Sequence, residues 1–461
     1  MKKIVLIFIL LMGFQGCKDF LTVEPIEQIS INTQLSTKQG VLEALNGAYY
    51  ETRRTVLSDA FYTYGDLLSG NLTFSPNTSN GVVSPPTFVD MLYDFSDEKT
   101  ESELQGFYQS SYSIINNLNL ILENLEALSD ASSEEKSQIK AEVLALRAFT
   151  HFNLYKIYSQ NYTFTDDASH LGIVYNTRSL KVGIDYPARE TAKRTFELLT
   201  EDINNAISLY KTSKAIPAGE EYQFLNLNAA KCLAADIALW RNDWDTAIKW
   251  SNEVIVNSGK SLGTSADLVS NWAQTEKIWD FGRTENDNLL TNLYMYSGGS
   301  KYSEYALSKD YINLLEAGDL RKNLYESKPL RGKSYLFTTK FRGISGIIYR
   351  LTEMYFIRAE AHLKKNNGAL ALQDINVIRN RAGLSSLTSV NIQDIILEKR
   401  KEFVCENKTF FDLMRNHQNV VRVDCMASTY CNISYPNFRL VAPIPQQAVE
   451  INSNLQQNPG Y

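Results

Sequence analysis

The chain has 461 residues, with 46 Lys and Arg residues against 52 Asp and Glu residues, for a formal net charge of −6. An acidic surface repels phosphate backbones, so the sequence predicts no nucleic-acid partner. Hydrophobic residues make up 44% of the chain, which is ample for a large buried core, and the length would allow two or three domains of typical size.

The amino terminus has the pattern of a bacterial lipoprotein signal. Two lysines precede the eleven apolar or small residues from Ile4 to Phe14, and Gly16 and Cys17 follow. A run of this length fits the core of a secretory signal and is too short to span a bilayer, which takes about 20 residues. We therefore predict that residues 1–16 are removed and that Cys17 is lipidated, which anchors the protein to a membrane. An ordinary signal peptide followed by an incidental cysteine is the alternative.

Helical periodicity recurs along the chain in pairs of segments. Apolar residues repeat every three or four positions in each segment, so each segment would bury one face against a partner. In chain order the predicted pairs are Lys38–Val56 with Leu104–Leu128, Ala141–Tyr158 with Thr195–Tyr210, a pair that begins near Ala235, and a pair that runs from Arg350 to Gly383.

The last two pairs also resemble each other in sequence. The segment Ala235–Leu239 aligns with Ala359–Leu363 at an offset of 124 residues, and the register continues through Asn242 with Asn366. Such self-similarity indicates one packing unit used twice. The sequence therefore predicts a mainly α fold, in which four tetratricopeptide-like helical hairpins form a scaffold that carries long irregular loop insertions.

Aromatic and polar residues are mixed in the insertions, at 57–103, 159–194 and 259–308. Tyr and Trp offer a flat apolar face and a polar tip, which suits a sugar, whose C–H faces stack on rings while its hydroxyls form hydrogen bonds. The candidate glycan-binding residues are Asn71, Phe74, Tyr93, Trp272, Tyr294 and Tyr296. The alternative is that these aromatic residues hold the loops onto the helical core, a role we assign to Trp279, which lies in a strand-like alternation.

Signals for catalysis are missing from the sequence. It contains no HExxH, GxSxG, GxGxxG or GxxxxGK[ST] motif. Glu398 and Glu402 lie four residues apart on a predicted helix, where carboxylates more often pair with arginine than flank a scissile bond. Cys425 and Cys431 are close enough in sequence for a disulfide, but with His417 they lack the spacing of a metal site. We predict no catalytic residue, no metal and no cofactor.

Four stretches together resemble the SusD/RagB family of outer-membrane nutrient-binding lipoproteins of the Bacteroidetes. The stretches are Cys17–Leu21, Arg350–Leu384, Glu398–Phe403 with Phe410–Arg415, and Pro443–Gln446 with Gln457–Tyr461. The resemblance implies a cell-surface lipoprotein of the outer membrane that binds an oligosaccharide, or a peptide, without altering it. It also implies a partner, a SusC-like TonB-dependent transporter, to which the nutrient is delivered.

The resemblance further implies one intertwined domain over residues 17–461, whose amino-terminal part, 17–260, and carboxy-terminal part, 261–461, are not independent. Two other functions stay open at this point. A tetratricopeptide-type scaffold would bind only protein and no small ligand, and a glycoside hydrolase would cleave the polysaccharide that it binds.

Overall fold

The computed structural model describes residues 31–461 except 213, 271, 283–288, 297–302, 343, 345 and 427. The helices of this part are α1 Ile31–Gln34, α2 Lys38–Val56, α3 Asp59–Leu68, α4 Asp90–Tyr93, α5 Gln105–Leu125, α6 Ser133–Tyr158, α7 Ala192–Leu209, α8 Leu227–Trp240, α9 Trp244–Asn257, α10 Ser265–Ser270, α11 Leu289–Tyr294, α12 Lys309–Ile312, α13 Leu351–Lys364, α14 Gly368–Arg381, α15 Ile392–Glu402, α16 Thr409–Arg415 and α17 Gln446–Ile451. The predicted signal peptide and Cys17 lie outside the described residues.

Four antiparallel helical hairpins form the scaffold, as the sequence predicted. The pairs that pack together are α2 with α5, α6 with α7, α8 with α9, and α13 with α14. Neighbouring hairpins also pack on one another, since α5 contacts α6, α7 contacts α8, and α9 contacts α13. The fold is therefore mainly α, and the hairpins follow one another along the chain as a continuous stack.

The two hairpins with similar sequences use the same turn. Asn242 ends the turn after α8 with a φ of 61°, and Asn366 occupies the matching place after α13 with a φ of 62°. Asparagine tolerates this left-handed conformation better than most residues, which explains why it stands at both positions. Ala247 and Ala371 are fully buried on the following helices, where a small side chain allows the paired helices to approach closely.

The strands are short and lie in the insertions and the carboxy-terminal third. They are β1 Leu72–Phe74, β2 Lys277–Asp280, β3 Tyr305–Leu307, β4 Tyr325–Leu330, β5 Lys333–Thr338, β6 Ile347–Arg350, β7 Val420–Val421 and β8 Asn432–Ile433. Among the described residues they pair antiparallel as β1 with β3, β2 with β6, β4 with β5, and β7 with β8. Trp279 on β2 is fully buried against Phe149 of α6, which confirms its structural role.

A buried ion network joins the last hairpin to α15 and to the strands before it. Within the described part of the chain it connects six cationic and six anionic side chains through contacts of 4 Å or less. Its members are Arg321, Lys340, Arg350, Arg379, Arg381 and Lys401 with Glu276, Glu316, Asp319, Glu398, Glu402 and Glu406. The equal numbers leave the network neutral, which stabilises its buried members, and only Glu316 at its edge has a largely exposed side chain.

The network explains the two glutamates that resembled a catalytic pair. Arg321 and Arg379 bind Glu398, and Glu402 accepts hydrogen bonds from Arg350 at 2.9 Å and from Arg381. The prediction that these carboxylates pair with arginine is confirmed. The partners come from other elements of the fold, so the carboxylates hold helix α15 in place.

Among the described residues, one large apolar core and two smaller apolar clusters are buried; the large core runs through most of the molecule. Its buried residues extend from Leu35 in the first turns to Leu455 near the end of the chain. Cys232 and Cys405 are free thiols inside this core, and burial raises the pKa of both well above its ordinary value. None of the described helices has the length and apolar character needed to cross a bilayer.

Candidate ligand-binding cleft

A cleft of about 580 Å³ opens where the first insertion meets the β4–β5 hairpin and the loop between β7 and β8. Its lining residues are Thr73, Phe74, Val83, Leu307, Lys309, Ile312, Ser327, Lys333, Ser334, Tyr335, Leu336, Asp424 and Met426. Apolar side chains therefore alternate in this cleft with hydroxyl, ammonium and carboxylate groups. The volume and the mixed lining are typical of a site for a small amphipathic ligand.

The β1–β3 ladder forms one wall of the cleft. Thr73 pairs with Ala306 and Phe74 pairs with Tyr305. Because side chains alternate across a strand, Phe74 is buried, whereas Thr73 is partly exposed and offers a hydroxyl to the cleft. The Phe74 ring meets the Tyr93 ring edge to face at 4.9 Å, so this wall rests on an aromatic core.

The β4–β5 hairpin forms the second wall. Its turn is Arg331-Gly332, with φ values of 52° and 77°, and a two-residue turn with both φ values positive matches the twist of the two strands. Ser327 lies opposite Leu336, and its hydroxyl is 2.6 Å from the hydroxyl of Ser334. Both serines line the cleft, and so does Tyr335, whose half-buried ring also packs against the apolar cluster of Ala306, Leu330 and Phe337.

The loop closed by the disulfide between Cys425 and Cys431 forms the third wall. Buried Arg422 attaches this loop to the first insertion, because its Nη1 donates to the Tyr93 carbonyl at 2.7 Å and its guanidinium lies over the Tyr93 ring at 4.5 Å. The Tyr93 hydroxyl in turn accepts a hydrogen bond from the Met426 backbone. These contacts hold Met426 at the cleft.

Two carboxylates tie the disulfide loop to helix α12. Asp310 Oδ2 accepts hydrogen bonds from the backbone nitrogens of Val423 at 2.7 Å and Asp424 at 3.0 Å. Asp424 Oδ2 accepts from the backbone nitrogen of Lys309 at 3.0 Å. The two segments therefore exchange hydrogen bonds in both directions, which sets the width of the cleft between them.

The structure brings Phe74 and Tyr93 of the predicted site residues to this cleft. Phe74 lines it and Tyr93 lies behind it, but both side chains are buried, with exposed fractions of 0% and 1%. Burial raises the pKa of Tyr93, although Arg422 opposes the shift. In this conformation both rings support the wall and neither offers a free face, so a direct contact with a glycan stays a prediction for them.

Asn71 is a buried structural residue in this conformation. Its Nδ2 donates to Asp66 at 2.8 Å and to Thr409 at 3.0 Å, and its Oδ1 accepts from Arg400 at 2.7 Å. Burial raises the pKa of Asp66 to about 6, and the hydrogen bond from Asn71 opposes that shift. Both polar atoms of the Asn71 amide have partners inside the protein and the side chain is buried, so a contact with a glycan stays a prediction for this residue.

The three residues predicted from the third insertion do not line the cleft. Trp272 is 6% exposed and lies under two cations of the ion network, and Tyr294 is 1% exposed with its ring stacked on Phe341. Tyr296 is half-buried and its ring packs against Phe337 at 5.7 Å. Their role in binding remains untested, and their packing favours the alternative that they hold loops onto the core.

Sequence reasoning missed most of the residues that line the cleft, including Lys309, Tyr335 and Met426. One signal for part of it was present, because Tyr325–Thr338 alternates around an Arg-Gly pair in the pattern of a β-hairpin. The hydrogen bond from the Lys309 backbone to Asp424 joins residues that are 115 positions apart. A local sequence pattern does not predict a contact over such a distance.

The disulfide allows a direct test of how the third wall is held. We expect a variant with both Cys425→Ser and Cys431→Ser to lose about 2 kcal/mol of unfolding free energy, since opening a short loop restores entropy mainly to the unfolded chain. Residues 420–433 should also exchange amide hydrogen faster, as measured by mass spectrometry. Reduction of the wild-type protein should reproduce both effects and leave the double variant unchanged. Unaltered exchange after reduction would mean that the contacts of Arg422, Tyr93 and Asp310 hold the loop without the disulfide.

No cluster of three or more His, Cys, Asp or Glu side chains suited to a metal ion occurs among the described residues. Two further clefts are present, one of about 530 Å³ between Tyr112 and Leu455 and one of about 270 Å³ beside Phe164. The cleft of about 530 Å³ is lined by few charged groups, and the cleft of about 270 Å³ has less than half the volume of the cleft described above. The cleft of 580 Å³ alone among these three combines ammonium groups, hydroxyls and an exposed part of a tyrosine ring.

Comparison with known proteins agrees with the fold and the motifs. A family model described as "SusD family" matches residues 333–461, and a second, described as "Starch-binding associating with outer membrane", matches residues 19–238. A SusD-like protein of Bacteroides ovatus is 22% identical, with 90% of this chain and 82% of the relative covered. A SusD-like protein of Formosa agariphila is also 22% identical, with 99% of both chains covered.

Solved structures share the fold over nearly the whole chain. A putative sugar-binding protein of Bacteroides vulgatus superposes with a TM-score of 0.80 at 22% identity, covering 93% of this chain and 100% of its own. A laminarin-binding SusD-like protein superposes with a TM-score of 0.71 at 20% identity, covering 91% and 99%. The fold and the two matched models define a SusD-type helical protein. The chain belongs to the SusD/RagB family.

Proposed function

We propose that the protein is an outer-membrane lipoprotein that captures an oligosaccharide at the cell surface and delivers it to a SusC-like TonB-dependent transporter. The observation that carries the proposal is the cleft of about 580 Å³, which joins an apolar floor to hydroxyl groups and a tyrosine ring. Sugars have this combination of surfaces, because their C–H faces are apolar and their edges bear hydroxyls.

Several features support a binding role without chemistry. The carboxylates Glu398 and Glu402 are occupied by arginines, and Asp424 in the cleft is engaged with the backbone of Lys309. The matched model over residues 19–238 is described as starch-binding, and one structural neighbour is described as laminarin-binding. We further propose that residues 17–461 act as one unit, since the apolar core draws on both parts of the chain.

The lipid anchor on Cys17 and the transporter complete the proposal. Acylation would hold the folded part at the membrane, and the loops at the cleft would receive the ligand before its transfer. Purification of the native protein from outer membranes in mild detergent tests both points. The proposal expects an acylated amino terminus by mass spectrometry and a transporter barrel in the same complex. Recovery of the protein as an unmodified monomer outside the membrane fraction would contradict it.

Tyr335 provides the test of the cleft. We expect Tyr335→Ala to weaken oligosaccharide binding three- to tenfold, because one partly exposed ring contributes on the order of 1 kcal/mol by stacking. Isothermal titration calorimetry against a panel of oligosaccharides measures the change. Tyr50→Ala is the matched control, since Tyr50 is 57% exposed on α2 and does not line the cleft.

The outcomes separate the three candidate functions. Binding without product formation, lost in Tyr335→Ala and kept in Tyr50→Ala, is the expected result. Release of shorter saccharides, detected by chromatography, would indicate a hydrolase. No binding of any saccharide by the wild-type protein would leave the protein-binding scaffold as the function.

A further inference from the structure

Three exposed cationic side chains surround the cleft without a carboxylate partner. Lys309 and Lys333 line it, and Arg331 lies at the tip of the β4–β5 hairpin next to Lys333. Within the described residues, no carboxylate oxygen lies within 4 Å of their side-chain nitrogens. Lys328 of the same hairpin differs from these three residues, because its ammonium group pairs with Glu326 at 3.2 Å.

The two acidic groups nearby, Asp310 and Asp424, accept hydrogen bonds from the backbone and keep their negative charge. Asp310 accepts two backbone hydrogen bonds from the disulfide loop, and Asp424 accepts one from the backbone of Lys309. Asp424 lines the cleft together with the two lysines. Cations therefore outnumber carboxylates at this cleft, although the whole chain has a net charge of −6. A local excess of positive charge on an acidic protein favours an anionic ligand.

The Arg331 guanidinium lies against a glycine of the first insertion. Gly81 has a φ of 72°, and a Cβ atom at this residue would lie 2.6 Å from Cζ of Arg331. The guanidinium thus rests against a backbone position where any side chain would displace it. The planar donors of an arginine suit the oxygen atoms of a carboxylate or a sulfate group.

We infer that the ligand of this cleft is an oligosaccharide that carries carboxylate or sulfate groups. The inference rests on the proposed function and adds the chemical class of the ligand to it. Stacking on Tyr335 and hydrogen bonds to the hydroxyls of Thr73, Ser327 and Ser334 would bind the sugar rings, and the ammonium groups would bind the acidic substituents.

Calorimetry with matched pairs of oligosaccharides tests the inference. One pair is a uronic-acid oligosaccharide and the same compound with its carboxylates reduced to alcohols, and the other is a sulfated oligosaccharide and its desulfated form. We expect the acidic member of at least one pair to bind roughly three- to tenfold more tightly at low salt. The pair that shows this difference tells whether the cleft prefers a carboxylate or a sulfate group. The difference should shrink at about 0.5 M salt, because exposed charges are then screened.

The double variant with Lys309→Gln and Lys333→Gln should lose the preference for the acidic member and keep the affinity for the neutral one. Lys193→Gln is the control, since Lys193 is exposed on α7 and does not line the cleft. Equal binding of both members, or an unchanged preference in the double variant, would overturn the inference and leave the proposed function standing. Preferential binding of an acidic peptide would overturn the inference as well. Absence of binding to every saccharide would contradict the proposed function itself.

Discussion

Replacement of Glu402 by Gln is expected to lower the free energy of unfolding by about 3–5 kcal/mol, the cost of removing one partner from a buried ion pair. Glu402 is 2% exposed and contacts Arg321, Arg350 and Arg381. Glutamine leaves the network with an excess positive charge, and its amide donors point at guanidinium groups that are donors too. Urea denaturation at pH 7 measures the loss.

The same carboxylate predicts how stability depends on pH. Burial alone would raise the pKa of Glu402, but Arg381, followed by Arg350 and Arg321, holds the pKa well below its ordinary value. Its stabilising contribution is therefore complete above the pKa of about 4.3 in the unfolded chain and is lost as the pH falls toward the folded value. The wild-type protein should lose stability steadily below about pH 4, and Glu402→Gln should lose less over the same interval.

Glu201→Gln is the control for Glu402→Gln, because Glu201 is an exposed carboxylate in the middle of α7. A change below about 0.5 kcal/mol is expected for it. If the two variants were equally stable, the buried network would contribute nothing specific, and its arginines would be held by packing alone.

Replacement of Trp272 by Ala is expected to cost about 3–5 kcal/mol of stability, as for other large buried aromatic side chains. The indole lies under the ion network, with Lys340 Nζ 5.1 Å and Arg350 Cζ 5.6 Å from the ring centre. Alanine would remove this aromatic face and leave a cavity beside charged groups that depend on exclusion of water. The thermal midpoint and the urea midpoint should both fall, and they measure the effect.

Trp272→Phe separates packing from binding. Phenylalanine keeps an aromatic face for the two cations, so this variant should lose less than half of the stability that Trp272→Ala loses. Both variants should bind oligosaccharide normally at temperatures where they remain folded. A stable Trp272→Ala protein with weakened binding would instead place Trp272 in the site, as its sequence context suggested.

The helical scaffold could be predicted because its signals are local. Apolar periodicity marks each helix, and the matching Asn242 and Asn366 mark the same turn in two hairpins. Whether an aromatic residue is buried depends on tertiary packing, and no local sequence signal predicts it. Trp272 and Tyr294 belong to an insertion that mixes polar and aromatic residues, yet both pack inside the molecule. The sequence therefore located the insertions correctly, but it did not predict which of their aromatic rings are buried.

The cleft could not be predicted from the sequence, because it is formed by contacts between residues that are distant in the chain. Its walls come from β1, the β4–β5 hairpin, α12 and the disulfide loop, which are distant in the chain and meet through backbone hydrogen bonds. Lysines such as Lys309 and Lys333 resemble any solvated surface charge until the positions of the carboxylates are known. The class of protein followed from motifs, whereas the binding surface required the fold.

The ion network also has a consequence for the order in which the protein matures. Arg350 binds Glu276, which lies 74 residues earlier, and Glu406, which lies 56 residues later. As the polypeptide leaves the ribosome, the early hairpins can close as soon as their second helix has appeared, but the network cannot assemble until residue 406 has emerged. From the appearance of Glu276 until Glu406 has emerged, the carboxy-terminal part of the nascent chain therefore carries network charges without their full set of partners, and the last hairpin and α15 can lock together only late in synthesis.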